Sequence, residues 1–186
     1  MQLSIIAALV AIGSPFLARA GATEFSALKQ PCELSSEQLV RKVFKTSFDS
    51  VTNGRGPLRS TCTYFATVVD PCVLSIQVGV TVKPYKSRNA ATTAYNELSA
   101  ANQSLPRDPD AVSADQAQRE DLPEIGDSAY YTNARGGSVL FVDGKRVVGL
   151  IGGFGVSDKL PTCPDPAEVA AENKRRLTAL AARIAP

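Results

Sequence analysis

Two serines in this chain lie in spacings that nucleophilic catalysis uses. Ser26 and Lys29 match S-x-x-K, the spacing of a dyad in which a lysine activates a serine. The partner motifs of that dyad, S-D-N and K-T-G, are absent from the chain. Ser128 ends a Gly-Asp-Ser sequence that also occurs in serine hydrolases, and a tight turn entering a strand is the simpler interpretation of it.

The chain contains no histidine. Histidine is the commonest general base near neutral pH and the commonest metal ligand, so Ser-His-Asp and Cys-His catalysis cannot be built from this chain alone. Asp108, Asp110 and Asp115 offer oxygen ligands but lack the pattern of a calcium loop, which favours a solvated acidic loop. These observations predict a protein that is not an enzyme and needs no metal or cofactor.

The four cysteines are Cys32, Cys62, Cys72 and Cys163. An even number in an exported chain predicts two disulfides, for which three pairings exist. None of the spacings is C-x-x-C, which argues against a thioredoxin-type redox site. Cys32 and Cys62 flank the predicted first helix and first strand. Their proximity favours the pairs Cys32–Cys62 and Cys72–Cys163 over the other pairings, such as one that contains Cys32–Cys72.

The first 20 residues have the pattern of a secretory signal peptide. An apolar run over residues 3–12 is followed by a turn-prone segment and then by Ala18–Arg19–Ala20, a small-x-small cleavage pattern. We therefore expect cleavage after Ala20 and a single domain over residues 21–186, secreted or periplasmic. No later stretch reaches 18 apolar residues, so no stable membrane anchor is expected after cleavage.

The charges of the chain are nearly balanced. It has 20 basic and 18 acidic side chains and a formal net charge of +2. Such a balance gives no long-range field that would attract nucleic acid or an anionic membrane, so neither is expected as a partner.

Three helices are predicted from capping signals and periodicity. Ser35, with Gln38 three residues later, has the pattern of an N-cap, and a breaker cluster over residues 53–57 follows that helix. A second helix is predicted over residues 87–101, and the last helix begins at Asp165 with Pro166 at its first position. The residues of the second helix that are expected to face inward are Ala91, Ala94, Tyr95 and Leu98. Those of the last helix are Val169, Leu177, Leu180 and Ile184.

Five strands are predicted from alternation, over residues 61–69, 73–82, 129–134, 138–142 and 146–151. Asp143–Gly144 predicts a two-residue hairpin turn, and both faces of that hairpin are apolar, so we expect it to be covered on both sides. Residues 103–125 are interpreted as a long acidic surface loop. The order α-β-β-α-β-β-β-α predicts an α+β sandwich with a mainly antiparallel sheet and two disulfides.

Several of these pieces, taken in order, resemble a family of uncharacterised bacterial exported domains, many of them lipoproteins of actinobacteria. They are residues 31–35, 62–64 and 125–130, the apolar hairpin at Asp143–Gly144 and the alanine-rich last helix. The resemblance implies a PsbP/Mog1-like α+β sandwich and an early bridge, here Cys32–Cys62. The family has no established activity. This chain differs from it in lacking the lipidation cysteine and in carrying Cys72 and Cys163.

Together these features predict an exported, non-enzymatic domain that binds a protein or a small envelope ligand. Tyr130, Tyr131 and Phe154 are the candidate contact residues, with Phe154 at the tip of a glycine-rich exit loop over residues 152–156. A hydrolase that uses carboxylates or the Ser26–Lys29 dyad is the alternative. A third interpretation is a structural accessory protein of envelope assembly.

Overall fold

The computed structural model describes residues 29–55, 59–68, 74–103, 119–133, 136–156 and 163–185. The helices are α1 (Pro31–Leu34), α2 (Glu37–Phe44), α3 (Arg88–Gln103) and α4 (Pro166–Ile184). The strands are β1 (Ser50–Arg55), β2 (Ser60–Val68), β3 (Leu74–Pro84), β4 (Arg119–Asp121), β5 (Ser128–Thr132), β6 (Ser138–Asp143) and β7 (Arg146–Val156). The predicted signal peptide, Ser26, Cys72, Asp108, Asp110 and Asp115 lie outside the described residues.

The strands form one seven-stranded antiparallel sheet in the order β1-β2-β3-β7-β6-β5-β4. Two meanders, β1–β3 and β4–β7, join where β3 pairs with β7. Helix α4 packs against β6 and β7, and α1 packs against β2 and β3. The predicted α+β class with an antiparallel sheet is confirmed.

The main core lies between the sheet and helices α1, α2 and α4. Alternation along each strand puts every second side chain on this face, so the paired residues form rows across the sheet. One row, fully paired in register and buried throughout, runs over β3, β7, β6 and β5 and consists of Val80, Leu150, Val139 and Tyr131. Leu177, Leu180 and Ile184 of α4 cover the face, as the sequence predicts.

The opposite face of the sheet is covered by α3 beside the β6–β7 hairpin. Tyr95 of α3 packs against Tyr130 of β5 with ring centroids 5.7 Å apart, and Val142 and Val147 belong to the same buried cluster. The predicted two-sided cover of the hairpin is confirmed. Leu98, predicted to point inward, is instead exposed, because Ser99 takes the buried position one turn after Tyr95.

The order of elements differs from the predicted one because three short elements were missed. Pro31 starts a separate helical turn, α1, whose C-cap is Ser35. The N-cap of α2 is therefore Ser36 and not Ser35. The Ser36 hydroxyl accepts a hydrogen bond from the Leu39 amide at 3.3 Å. Strands β1 and β4 lie at the two edges of the sheet and are mostly exposed, so they have no apolar alternation to reveal them. Part of the breaker cluster is therefore strand β1, and part of the predicted acidic loop is β4.

The predicted exit loop over residues 152–156 is wrong. Strand β7 continues to Val156, and Gly152, Gly153 and Phe154 pair with β3. Glycines can continue a strand when both neighbouring strands hold it, and β7 lies in the middle of the sheet. The hairpin before it is confirmed, but its two-residue loop is Gly144–Lys145, since Asp143 already pairs with Arg146.

One disulfide bridge is described where the sequence predicts two. Cys32 of α1 is bonded to Cys62 of β2, with 5.2 Å between their Cα atoms, which confirms that pairing. No described cysteine is free. Because Cys72 lies outside the described residues, the pair Cys72–Cys163 stays a prediction.

In the part of the chain that the structure describes, no helix has the length and apolar character needed to cross a membrane.

Candidate functional site

A cavity of about 330 Å³ opens between α4 and the ends of β2 and β3. Its apolar surface comes from Val68, Ile76 and Val169, with Pro164 beside them. Its polar rim comes from Thr46, Glu168, Glu172 and Arg176. A concave apolar surface with a few polar groups around it is the usual form of a small-molecule site.

Helix α4 supplies one complete wall of this cavity. Glu168, Glu172 and Arg176 follow one another at four-residue spacing, which places them on one side of a helix, and Val169 adjoins them. The start of the helix is fixed by Asp165, whose side chain accepts from the Ala167 amide at 2.7 Å, as predicted.

Glu172 is held as a fixed negative charge at the rim. It accepts hydrogen bonds at 2.6 Å from Nε and Nη2 of Arg175 and at 2.7 Å from Nε of Arg176. The hydrogen bonding from Arg175 is the largest cause that lowers the pKa of Glu172 to about 2, and Arg176 adds to it. Glu172 is therefore ionised at every physiological pH.

Arg176 also joins α4 to the end of α2. Its Nη1 donates to the Phe44 carbonyl oxygen at 2.6 Å, and its guanidinium lies 5.9 Å from the centroid of the Phe44 ring. The Thr46 hydroxyl donates to the same carbonyl at 3.2 Å. These contacts hold the segment after α2 against the cavity.

A second, shallower concave surface, with four exposed residues among its five lining residues, adjoins the first. It is lined by Arg41, Lys42, Lys45, Thr46 and Ser47, and Thr46 belongs to both cavities. We call this second surface the basic depression. Its five lining residues include three cations and no acid, so it favours an anion.

Tyr130 and Tyr131 lie on opposite faces of the sheet. Tyr130 is 2% exposed and stacks with the guanidinium of Arg119, 4.5 Å from its ring centroid, on the α3 side. Tyr131 is 6% exposed and belongs to the main core on the other side, where burial raises the pKa of its hydroxyl. One ligand cannot contact both rings, and neither lines a cavity described above.

Phe154, the third candidate, lies in β7 and its backbone pairs with Ile76. It is therefore the one candidate whose strand position adjoins the cavity. A binding role for the three aromatic residues stays a prediction.

The Gly126–Asp127–Ser128 sequence has a structural role, as the simpler interpretation predicts. Asp127 forms an ion pair with Arg88 and accepts from the Gly144 amide at 3.1 Å, which ties this turn to the β6–β7 hairpin. Gly126 has φ of +58° and lies against the Val142 carbonyl, where a larger residue would collide. The Ser128 hydroxyl donates to the Asp127 carbonyl at 2.7 Å.

The structure tests two further sequence-based hypotheses, the Ser26–Lys29 dyad and metal binding, only in part. Ser26 lies outside the described residues, so the structure does not place it relative to Lys29. Within the described ranges, no three residues among histidine, cysteine, aspartate and glutamate are grouped closely enough to hold a metal ion.

Sequence reasoning missed the cavity because its lining comes from three parts of the chain. Thr46 follows α2, Val68 and Ile76 belong to neighbouring strands, and the rest lie on or just before α4. The signal in the sequence was the four-residue spacing of Glu168 and Glu172. That spacing alone does not distinguish the wall of a cavity from a solvent-exposed helix face.

No protein-family model, no curated protein and no solved structure matches this chain. The resemblance to the family of bacterial exported domains therefore stays a prediction, and so does the PsbP/Mog1-like fold.

Proposed function

We propose that this chain is an exported, non-enzymatic binding domain that holds the apolar part of a small envelope ligand in the cavity over β2 and β3. The observation that carries the proposal is the cavity itself. Its volume of about 330 Å³ is at the lower end of the range for small-ligand sites, roughly 300–1,000 Å³. The Cys32–Cys62 bridge supports maturation in an oxidising compartment, where such bridges persist.

The lining of the cavity suits an alkyl chain. Val68, Ile76 and Val169 present apolar side chains, and each methylene group removed from water against such a surface gains about 0.8 kcal/mol. Two of the charged side chains at the rim, Glu172 and Arg176, are already paired with each other. The third, Glu168, is exposed, so an apolar chain can enter while Glu168 stays in contact with water.

The second predicted bridge fits this picture. We propose that Cys72 pairs with Cys163. Cys163 directly precedes Pro164, and Cys72 lies in the sequence between Val68 and Ile76, and these three neighbouring residues line the same cavity. Such a bridge would fix the segment that leads into α4. Peptide mapping without reduction tests it, and a peptide that joins Cys72 to any other cysteine would exclude it.

One observation supports the hydrolase alternative and another argues against it. Glu168 and Glu172 lie in the same cavity, which is what a carboxylate mechanism requires. A general acid, however, needs a pKa near the working pH, and the pKa of Glu172 is lowered to about 2. Glu172 acts as the anchor of two arginines, so we place binding ahead of hydrolysis.

A protein partner is the second candidate function. Phe65 of β2 and Ile151 of β7 lie on the same face of the sheet as α3, and they are 41% and 54% exposed. Large apolar side chains exposed on one face occur at protein interfaces. Replacing both with serine leaves ligand binding in the cavity unchanged if that face serves a separate partner.

The proposal is tested with n-octanol as a neutral probe. NMR spectra of methyl-labelled protein, recorded during titration, should show shifts at Val68, Ile76 and Val169. The Val169→Trp variant fills the cavity and should abolish those shifts at Val68 and Ile76. Ala170→Trp is the matched control, since Ala170 is exposed on the same helix and does not line the cavity. Shifts at the methyl groups of Ile151 alone, or equal binding by both variants, would contradict the proposal.

A further inference from the structure

We propose that the ligand carries an oxyanion, a phosphate or a carboxylate, at the end of its apolar chain, and that the basic depression at the end of α2 binds this group. The inference rests on the proposed cavity function and adds the chemical class of the ligand. The two concave surfaces share Thr46, so one molecule can extend from Val68 and Ile76 to the lysines.

Within the part of the chain that the structure describes, the cations of the basic depression have no acidic partner. Among the described residues, Lys42 and Lys45 form no ion pair, and Arg41 donates only to the Ser47 hydroxyl, at 3.2 Å. Several other cations of the described chain do have carboxylate partners, among them Arg88, Arg119, Arg146, Lys174, Arg175 and Arg176. The depression therefore brings together three cations that form no ion pair with any described carboxylate.

The donors in the depression match an oxyanion. Lys42 and Lys45 carry ammonium groups, and Arg41 carries a guanidinium that can bind two oxygens of one anion. The Ser47 oxygen accepts from Arg41, which leaves the hydroxyl proton of Ser47 to donate. The lining therefore supplies four donor groups to a phosphate or carboxylate.

The backbone of Lys45 gives an independent reason to look for a role of its side chain. Lys45 is the only non-glycine residue with positive φ in the described parts of the chain, with φ of 53° at the C-cap of α2. Glycine usually occupies this left-handed position because it meets no steric penalty there. A lysine at this position brings a charge to the depression at a cost in backbone conformation that glycine avoids.

A purely structural role for these cations makes a different prediction. Cations in the last turn of a helix interact favourably with the helix dipole. If that were the whole role of Lys45, replacing it with glycine would change stability and leave anion binding untouched.

The experiment compares three probes by titration calorimetry at low ionic strength: n-octanol, n-octyl phosphate and inorganic phosphate. We expect n-octyl phosphate to bind at least tenfold more tightly than n-octanol, since a charge-assisted hydrogen bond contributes about that factor. This advantage should fall as salt is added. In the double variant Lys42→Gln and Lys45→Gly, the advantage should fall about tenfold while the affinity for n-octanol stays the same.

The double variant Lys83→Gln and Lys86→Gln is the matched control for charge, because it also removes two cations. Lys83 and Lys86 are exposed and lie at the end of β3 remote from Ile76, so their removal lowers the net charge without touching the depression. We expect this control to bind all three probes like the unmodified protein. Equal losses in the control and in the Lys42 and Lys45 variant would contradict a local site.

The outcomes separate the inference from the proposed function. If n-octanol binds but n-octyl phosphate binds no more tightly, the oxyanion inference is overturned and the cavity function stands. If n-octyl phosphate binds no more tightly than inorganic phosphate, and Val169→Trp does not weaken it, the cavity function is overturned and an isolated anion site is supported. Absence of binding by all three probes overturns both.

Discussion

The guanidinium of Arg176 donates a hydrogen bond to the carbonyl oxygen of Phe44 at 2.6 Å. The two residues are 132 positions apart in the chain. Carbonyl groups in the last turn of a helix have no partner within that helix, and Arg176 provides one from α4. The same arginine is bound to Glu172, so one side chain joins two helices and forms part of the cavity wall.

Arg176→Met tests this junction. We expect a loss of about 1–2 kcal/mol in the free energy of unfolding, because a charge-assisted hydrogen bond is removed from a mostly buried group. Urea denaturation followed by circular dichroism measures it. Arg175→Met is the control, since that side chain is largely exposed and should lose less than about 0.5 kcal/mol. Equal losses in the two variants would show that the contact to Phe44 contributes nothing.

Glu172→Gln tests the pH dependence of the fold. The pKa of Glu172 in the folded state is about 2, below its ordinary value of 4.5, so its contribution is present above pH 4.5 and is lost as the pH falls towards 2. Because 36% of the side chain is exposed, solvent screening limits the contribution to about 1 kcal/mol. The difference in stability between variant and unmodified protein should therefore shrink between pH 4.5 and 2. A difference that stays constant over that range would contradict the assignment.

Gly152→Ala tests how closely α4 approaches the sheet. A Cβ at Gly152 would lie 2.5 Å from Oδ1 of Asn173 and 3.1 Å from the Leu177 methyl groups. Asn173 is buried and donates to the Gly152 carbonyl at 3.0 Å, so it cannot move without losing that bond. We expect a loss of about 1–3 kcal/mol, as in other overpacked cores. Gly153→Ala, where a Cβ meets nothing within 4 Å, should cost less than about 1 kcal/mol in the same denaturation experiment.

Replacing Cys32 and Cys62 with alanine tests the contribution of the described bridge. The bridge joins residues 30 positions apart, and its loss should lower the free energy of unfolding by up to about 3.5 kcal/mol. The measurement is urea denaturation of the double variant under non-reducing conditions. The unmodified protein after reduction is the comparison. A double variant as stable as the oxidised protein would show that α1 is held by other contacts, such as the hydrogen bond from the Tyr64 hydroxyl to the Ser35 carbonyl.

The sequence predicts best the elements that are buried on one side or both. Alternation along β3 and the four-residue spacing of Leu180 and Ile184 in α4 arise directly from burial, and those elements are found where expected. The edge strands β1 and β4 bury few side chains, so no pattern of apolar residues indicates them in the sequence.

The candidate site could not be predicted in the same way. Val68 and Val169 line the same cavity only because the sheet and α4 fold together, and no local pattern in the sequence indicates this. The rings of Tyr130 and Tyr131 lie on opposite faces of the sheet for a local reason. Tyr130 and Tyr131 are adjacent in a strand, and adjacent residues of a strand point to opposite faces.

A crystal structure of the protein soaked with ω-bromo-octanoate tests the central claim most directly, because the bromine can be located by its anomalous scattering. The account predicts bromine density in the cavity, in contact with Val68, Ile76 and Val169, and the carboxylate at Lys42 and Lys45. Bromine located at the face of Phe65 and Ile151, or no ordered bromine in the protein, would contradict it.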